Sequence, residues 1–383
     1  MSPHNYYPVT APSSTSPAAA GVEPSVNHWT HAGPAATDFR SDTITTPTAS
    51  MLAAIASTTL GDDVFLEDAV TNALQAHLAQ LTGKPAALLV LSGTMGNQVA
   101  IRAHLGAPPH SVLCDHRAHI LRAEAGGVAA LCGAQVDGVH PANGAHLTAA
   151  DVRAHAVLGD DVHGCPTRLV ELENTLGGAV MPLADVREIG AWARENGVLT
   201  HLDGARLWEA VAAGAGSLRE YCDAVDSVQL CFSKGLGAPI GSVIVGSEEF
   251  IKRSRWIRKS IGGGIRMAGV ISAAARTALE ETFFGGKLQQ THVLARRLAD
   301  KWESLGGKLS VPTETNMVWL DVKASGVSAD DIVKLAAEKG IKTFGTRIVV
   351  HYQITEQAIK GYEEVMETVM KKKATATNGT NGA

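Results

Sequence analysis

Gln229-Leu230-Cys231-Phe232-Ser233-Lys234-Gly235-Leu236-Gly237-Ala238-Pro239-Ile240-Gly241-Ser242 puts one lysine after an apolar, strand-like run and ahead of a glycine-rich turn. About thirty residues upstream, His201-Leu202-Asp203-Gly204-Ala205-Arg206 closes a second apolar run that starts at Gly197. An acid at one strand end and a lysine after the next is the pair that a pyridoxal phosphate enzyme needs. Lys234 would hold the cofactor aldehyde as a Schiff base, and Asp203 would keep the pyridine nitrogen protonated so that the ring accepts electrons. A lone Ser-Lys-Gly says little, because most lysines at strand ends are solvated; the ordered pair says much more.

Outward from this pair the chain alternates. Helix-like spacing covers 51–57 and 68–81, and the apolar run 86–91 reads as a buried strand followed by a helix over 98–105. Further strand-like runs at 111–113, 168–172, 198–202, 227–232 and 242–245 are separated by helical stretches. This pattern predicts an α/β fold with a large, mostly parallel sheet covered by helices on both faces. A long helical region is expected from about Met267 to Leu305, and short strands at 317–322 and 347–353 among helices suggest a small C-terminal α+β domain. The expected division is a disordered tail over 1–38, a large cofactor-binding domain over 39–285, a small domain over 286–370 and a second tail over 371–383.

At 383 residues the chain is long enough for two cores. Its net charge of −5 carries no electrostatic footprint for nucleic acid or an acidic membrane. No apolar run approaches the roughly 18 residues of a membrane span. Five scattered cysteines, with no Cys-x-x-Cys pair, argue against a disulfide framework or a zinc site. They fit a reducing, cytoplasmic compartment.

Ser92-Gly93-Thr94-Met95-Gly96 follows a strand and opens a helix, where backbone N–H groups and the helix dipole attract an anion and Thr94 adds a hydroxyl. A plain glycine turn is the competing reading; beside Lys234 and Asp203, a phosphate cradle is the better one. His119 and His163 lie in loops after strand-like runs. An imidazole can stack on a cofactor ring or take a proton from a hydroxyl, and the residues alone do not divide those roles. Arg206, three positions after Asp203, and Arg347, at the start of a late strand, could clamp a substrate carboxylate from two domains. A surface salt bridge is the alternative for Arg347. Lys259-Ser260-Ile261-Gly262-Gly263-Gly264-Ile265-Arg266 is a basic turn whose glycines allow close approach of a ligand or a subunit.

Taken together, the chain resembles the low-specificity threonine aldolases, pyridoxal phosphate enzymes of the aspartate-aminotransferase fold (fold type I). The matching stretches are Arg40-Ser41-Asp42-Thr43, Gly61-Asp62-Asp63-Val64, Ser92-Gly93-Thr94-Met95-Gly96-Asn97-Gln98, Leu172-Glu173-Asn174-Thr175, Asp203-Gly204-Ala205-Arg206, Ser233-Lys234-Gly235-Leu236-Gly237, Gly262-Gly263-Gly264-Ile265-Arg266 and Thr315-Asn316-Met317-Val318, in family order over about residues 39 to 368. The resemblance implies a small amino-acid substrate and a homotetramer of catalytic dimers. It also implies Lys234 as the Schiff-base lysine, Asp203 at the pyridine nitrogen, His119 stacked on the ring, and Gly93 and Thr94 on the phosphate, with Arg206 and Arg266 also at the cofactor. Ser41, Arg206 and Arg347 would hold the substrate carboxylate, with His163 near the substrate hydroxyl. The chain departs from the family pattern at Phe65-Leu66, Asp68-Ala69, Ala123 and Met267, which alters the surroundings of the substrate side chain. The implied activity is cleavage of L-threonine or L-allo-threonine to glycine and acetaldehyde. Some fungal relatives are alanine racemases supplying D-alanine for peptide secondary metabolism, and the shared motifs do not separate the two.

Overall fold

Seven strands build one sheet: β1 (Ala86–Val90), β2 (Ser111–Asp115), β3 (Gln135–Val139), β4 (Thr167–Glu173), β5 (Leu199–Gly204), β6 (Ser227–Cys231) and β7 (Ser242–Gly246). A computed structural model describes residues 29–30 and 33–380, with side chains as far as Lys373. The strand order is β1-β7-β6-β5-β4-β2-β3. From β6 to β3 all neighbours run parallel, and β7 is antiparallel to both β1 and β6. Strands β2, β6 and β7 are buried along their whole length, which explains their unbroken apolar runs. β3 escaped the sequence pattern because it is an edge strand, with a polar and partly exposed Gln135-Val136-Asp137-Gly138.

Local chemistry sets the helix ends. Asp68 Oδ1 accepts the Thr71 N–H at 2.8 Å to cap the helix Ala69–Thr82, which Gly83 ends in the left-handed region. Ser92 Oγ accepts the Met95 N–H at 3.1 Å at the start of the helix Gly93–His104. The helical region expected from Met267 to Leu305 is helical and divides into two α-helices. Helix Gly269–Ala278 runs into a π-helical turn, Leu279–Phe284, and the chain breaks at Gly285-Gly286 before helix Lys287–Ser304. Gly286, at φ +71°, supplies the left-handed residue that the break requires.

A second core gathers Trp302, Val318, Ile348 and Tyr362. It lies under β8 (Met317–Trp319) and β9 (Arg347–Val349), an antiparallel pair flanked by helices Lys287–Ser304, Ala329–Glu338 and Glu356–Thr380. Phe39 belongs to this core, edge-on to Tyr362 at 5.0 Å between ring centroids. Its backbone bonds to Lys342 and Val349 fasten residues 38–40 to this core. Of the expected N-terminal tail, residues 1–28 and 31–32 lie outside the described residues. Residues 33–37 form a 3-10 helix, and Asp38 bridges to Lys342. Of the expected C-terminal tail, residues 371–380 continue the last helix and 381–383 lie outside the described residues. Among the described residues no helix is long and apolar enough to cross a membrane.

Candidate active site

The carboxyl ends of β2, β4, β5 and β6, neighbours in the sheet, carry the candidate residues on the edge where open α/β sheets bind their ligands. Lys234 lies in the loop after β6, its carbonyl accepting the Gly237 N–H at 2.9 Å. The turn is tight: Gly237 is at φ +89°, and a Cβ there would fall 2.3 Å from the Tyr352 hydroxyl. The Lys234 ammonium favours the ionised forms of both Asp42 and Glu173.

Asp203, buried at the end of β5, accepts the Asn97 side-chain N–H at 2.7 Å and the Ala205 N–H at 2.9 Å. His119 begins a short helix after β2. Its backbone N–H reaches Glu173 Oε2 at 2.8 Å, and its Nδ1 lies 2.8 Å from Glu124 Oε1. The Glu124 hydrogen bond, with the charge of Asp203, raises the His119 pKa and favours the imidazolium. Burial, reinforced by the charge of Asp203, pushes the Glu173 carboxyl up to about 7. Glu171 shares the same face of β4, two residues along. Burial raises it well above the carboxylate range, and neither oxygen has a hydrogen-bond partner, so it is held neutral. His201 is lowered to about 4, chiefly by burial. It therefore stays a neutral part of the core.

Gly93 and Thr94 open a twelve-residue helix, so their N–H groups have no intrahelical acceptor. A Cβ on Gly93 would sit 2.8 Å from Cys231 Sγ, and only glycine lets this turn lie so close to β6. A primary amine, a buried acid two strand ends away from an imidazole, and a helix N-terminus for an anion are the donor set that the aldehyde, ring nitrogen and phosphate of pyridoxal phosphate require. The residues fit the cofactor.

Other candidates are placed differently. Arg206 spends Nε and Nη2 on Asp42, at 2.8 and 2.6 Å, leaving Nη1 outside the pair. Ser41 caps the 3-10 turn Asp42–Ile44, accepting from Thr43. Arg347 opens β9, donates to the Arg40 carbonyl at 2.9 Å and packs on the Trp319 ring. Arg266 pairs with Asp62 at 2.9 Å on the surface. The His163 side chain, 89% exposed, bonds to Asp161 in its own loop and shares no hydrogen bond with the residues around Lys234. Asn97 and Glu173 stand in the quoted family stretches without an assigned role, and Glu124 stands in none, although all three touch the site. A charged residue inside the small apolar run Ala123–Ala130 was the available signal for Glu124.

The chain matches the beta-eliminating lyase family over residues 38–325. It is 57% identical to an aldolase of Penicillium aethiopicum, covering 96% of this chain and 95% of that protein. To an alanine racemase of Cochliobolus carbonum it is 46% identical, covering 90% of each. To a low-specificity L-threonine aldolase of Candida albicans it is 44% identical, over 84% of this chain and 87% of that protein. Among solved structures, a threonine aldolase of Leishmania major superposes with a TM-score of 0.76 at 19% identity, covering 87% of this chain and 99% of that one. That likeness establishes fold type I.

Proposed function

The chain belongs to the beta-eliminating lyase family and is a pyridoxal-phosphate-dependent lyase, and from that premise we propose that it cleaves L-threonine or L-allo-threonine to glycine and acetaldehyde. The observation that carries the reading is the convergence of Lys234, Asp203 and His119 at neighbouring strand ends, in a chain whose relatives include several threonine aldolases.

Bound here, pyridoxal phosphate would supply an electron sink for the bond that breaks at Cα. Lys234 supplies the amine for the aldehyde, and its Nζ moves the proton at Cα. Asp203 keeps a proton on the ring nitrogen, and His119 covers the ring face. Gly93 and Thr94 would receive the phosphate at the helix N-terminus, and Arg266 would be a further cofactor contact. Ser41, Arg206 and Arg347 orient the carboxylate and so choose the bond that breaks. Asp42 aims Arg206, which leaves Nη1 for the substrate. His163 takes the β-hydroxyl proton, approaching from its exposed loop. The two separate cores support a larger cofactor domain and a smaller one, proposed over 39–285 and 286–370, with Phe39 packing into the smaller core and Leu288 into the larger. A homotetramer of catalytic dimers in the cytoplasm completes the proposal. The five free cysteines are consistent with a reducing compartment.

One observation favours a second reading, alanine racemisation: the base that retro-aldol cleavage needs is His163, and its side chain stands exposed. Racemisation uses no β-hydroxyl. Incubating the purified protein separately with L-threonine and L-alanine, then resolving the products by chirality, decides between them. Acetaldehyde and glycine from threonine support the aldolase. Conversion of L-alanine to D-alanine faster than threonine is cleaved overturns it in favour of the racemase.

A further inference from the structure

Glu124 has no part in the roles above, yet its buried carboxylate accepts three side-chain donors. Oε1 faces His119 Nδ1 at 2.8 Å and Asn97 Nδ2 at 2.9 Å, and Oε2 accepts from Gln98 Nε2 at 2.5 Å. The Asn97 amide is itself fully used. Its Nδ2 also donates to Asp203 Oδ2 at 2.7 Å, and its Oδ1 lies 3.2 Å from His201 Nε2. One carboxylate oxygen thus joins the imidazole expected over the ring to the acid expected at the ring nitrogen, through a single amide.

The backbone is shaped for this contact. Ala125 at φ +52° and Gly126 at +71° are both left-handed, which turns Glu124 inward. A non-glycine residue held there persists only where its surroundings over-determine it. A Cβ on Gly127 would meet Gln98 Cδ at 2.7 Å, so glycine at 127 lets Gln98 reach Glu124.

We propose that Glu124 is a positioning residue that locks the His119 imidazole and, through Asn97, the Asp203 carboxylate into one arrangement about the cofactor ring. The inference rests on the proposed cofactor site but not on which Cα bond breaks. A carboxylate offers only lone pairs and can serve all three donors. An amide has one acceptor oxygen and turns an N–H against one of them. The groups whose charge bears on His119 are Glu124 from the turn before helix Gly127–Cys132, Glu173 from β4 and Asp203 from β5. Lys234 acts on that group through Glu173.

The test is Glu124→Gln in the full chain, with Glu124→Asp as the charge-preserving control. Three quantities are read: cofactor absorbance, kcat and KM on the substrate that the wild type turns over, and the NMR titration of His119 in cofactor-free protein, assigned with His119→Asn. Glu124→Gln should keep its cofactor, lose about 10- to 100-fold in kcat with KM within about threefold, and titrate His119 about one unit lower than wild type. Glu124→Asp should recover part of the rate and most of the titration. A rate within twofold of wild type together with an unmoved His119 midpoint overturns the proposal. If Glu124→Gln does not fold, the wild-type titration decides: a His119 midpoint at or below the ordinary value of about 6.5 overturns the proposal, and a raised one supports it. A wild type that takes up no pyridoxal phosphate refutes the proposed function, while the titration still judges Glu124.

Discussion

Arg206 and Asp42 form a two-pronged ion pair, with Nε and Nη2 at 2.8 and 2.6 Å from the two oxygens of a carboxylate that solvent does not reach. The partners stand 164 positions apart in the chain. Asp42 follows the segment fastened to the small-domain core, and Arg206 follows β5 at the site. Paired in this way, Arg206 cannot swing as a free guanidinium; its remaining Nη1 has one direction to offer a ligand.

Asp42→Ala leaves the Arg206 charge buried and uncompensated, so it should destabilise the protein by about 3–5 kcal/mol. Urea unfolding at neutral pH measures this. In the wild type, Asp42 is held down to about 2 against an ordinary value of 3.8: burial opposes ionisation, and the Arg206 charge and hydrogen bonds outweigh it. An acid with a depressed folded pKa stabilises the fold above its unfolded pKa. About 2 kcal/mol should therefore be present above pH 4 and lost as the pH falls toward 2. That acid-limb slope should be missing in Asp42→Asn.

Lys234→Ala should yield a protein that no longer holds the aldehyde covalently and has no measurable turnover. Purified wild type should be yellow and the variant should not. The check is the absorption spectrum after adding pyridoxal phosphate and removing the excess. A wild type that stays colourless after reconstitution would sink the cofactor assignment.

Asp203→Asn should still bind the cofactor but lose at least about 100-fold in kcat. A neutral amide cannot hold the ring proton, and each pKa unit represents about 1.4 kcal/mol. Asn97, which donates to Asp203, can still donate to the new amide oxygen, so the fold should survive. Steady-state rates and a thermal melt separate the two effects.

Arg347→Ala should raise KM by about 30- to 150-fold, the loss of a charge-assisted contact of about 2–3 kcal/mol, with a smaller fall in kcat from poorer orientation of the scissile bond. Its contacts with the Arg40 carbonyl and the Trp319 ring hold it at the junction of the two domains. Unchanged kinetics would assign it a purely structural part there.

His163→Ala should leave stability within about 0.5 kcal/mol, because the side chain is exposed and bonds to Asp161 in its own loop. Any rate change then reports chemistry. For an aldolase, acetaldehyde release should slow more than α-proton exchange of glycine; equal effects on both would remove His163 from the reaction.

The order of motifs along the chain was enough to define the fold class and the buried strands β1, β2 and β4 to β7, and to propose Lys234 and Asp203 as the residues that hold the cofactor. Those features are local: an apolar run bounded by glycines makes a strand wherever it lies, and residues at strand ends meet on one edge of a parallel sheet. Sequence alone could not show the edge strand β3, whose polar residues hide its period, or the break at Gly285-Gly286 within an otherwise helical pattern. It could not show that Phe39 crosses to the small-domain core, that Asp42 is the partner of Arg206, or that His163 stands in solvent. Nor could it show the three donors converging on Glu124. Each of these depends on contacts between residues far apart in the chain, and burial decides which charges must find partners. Only packing brings Asp42 and Arg206 within 2.6 Å across 164 positions.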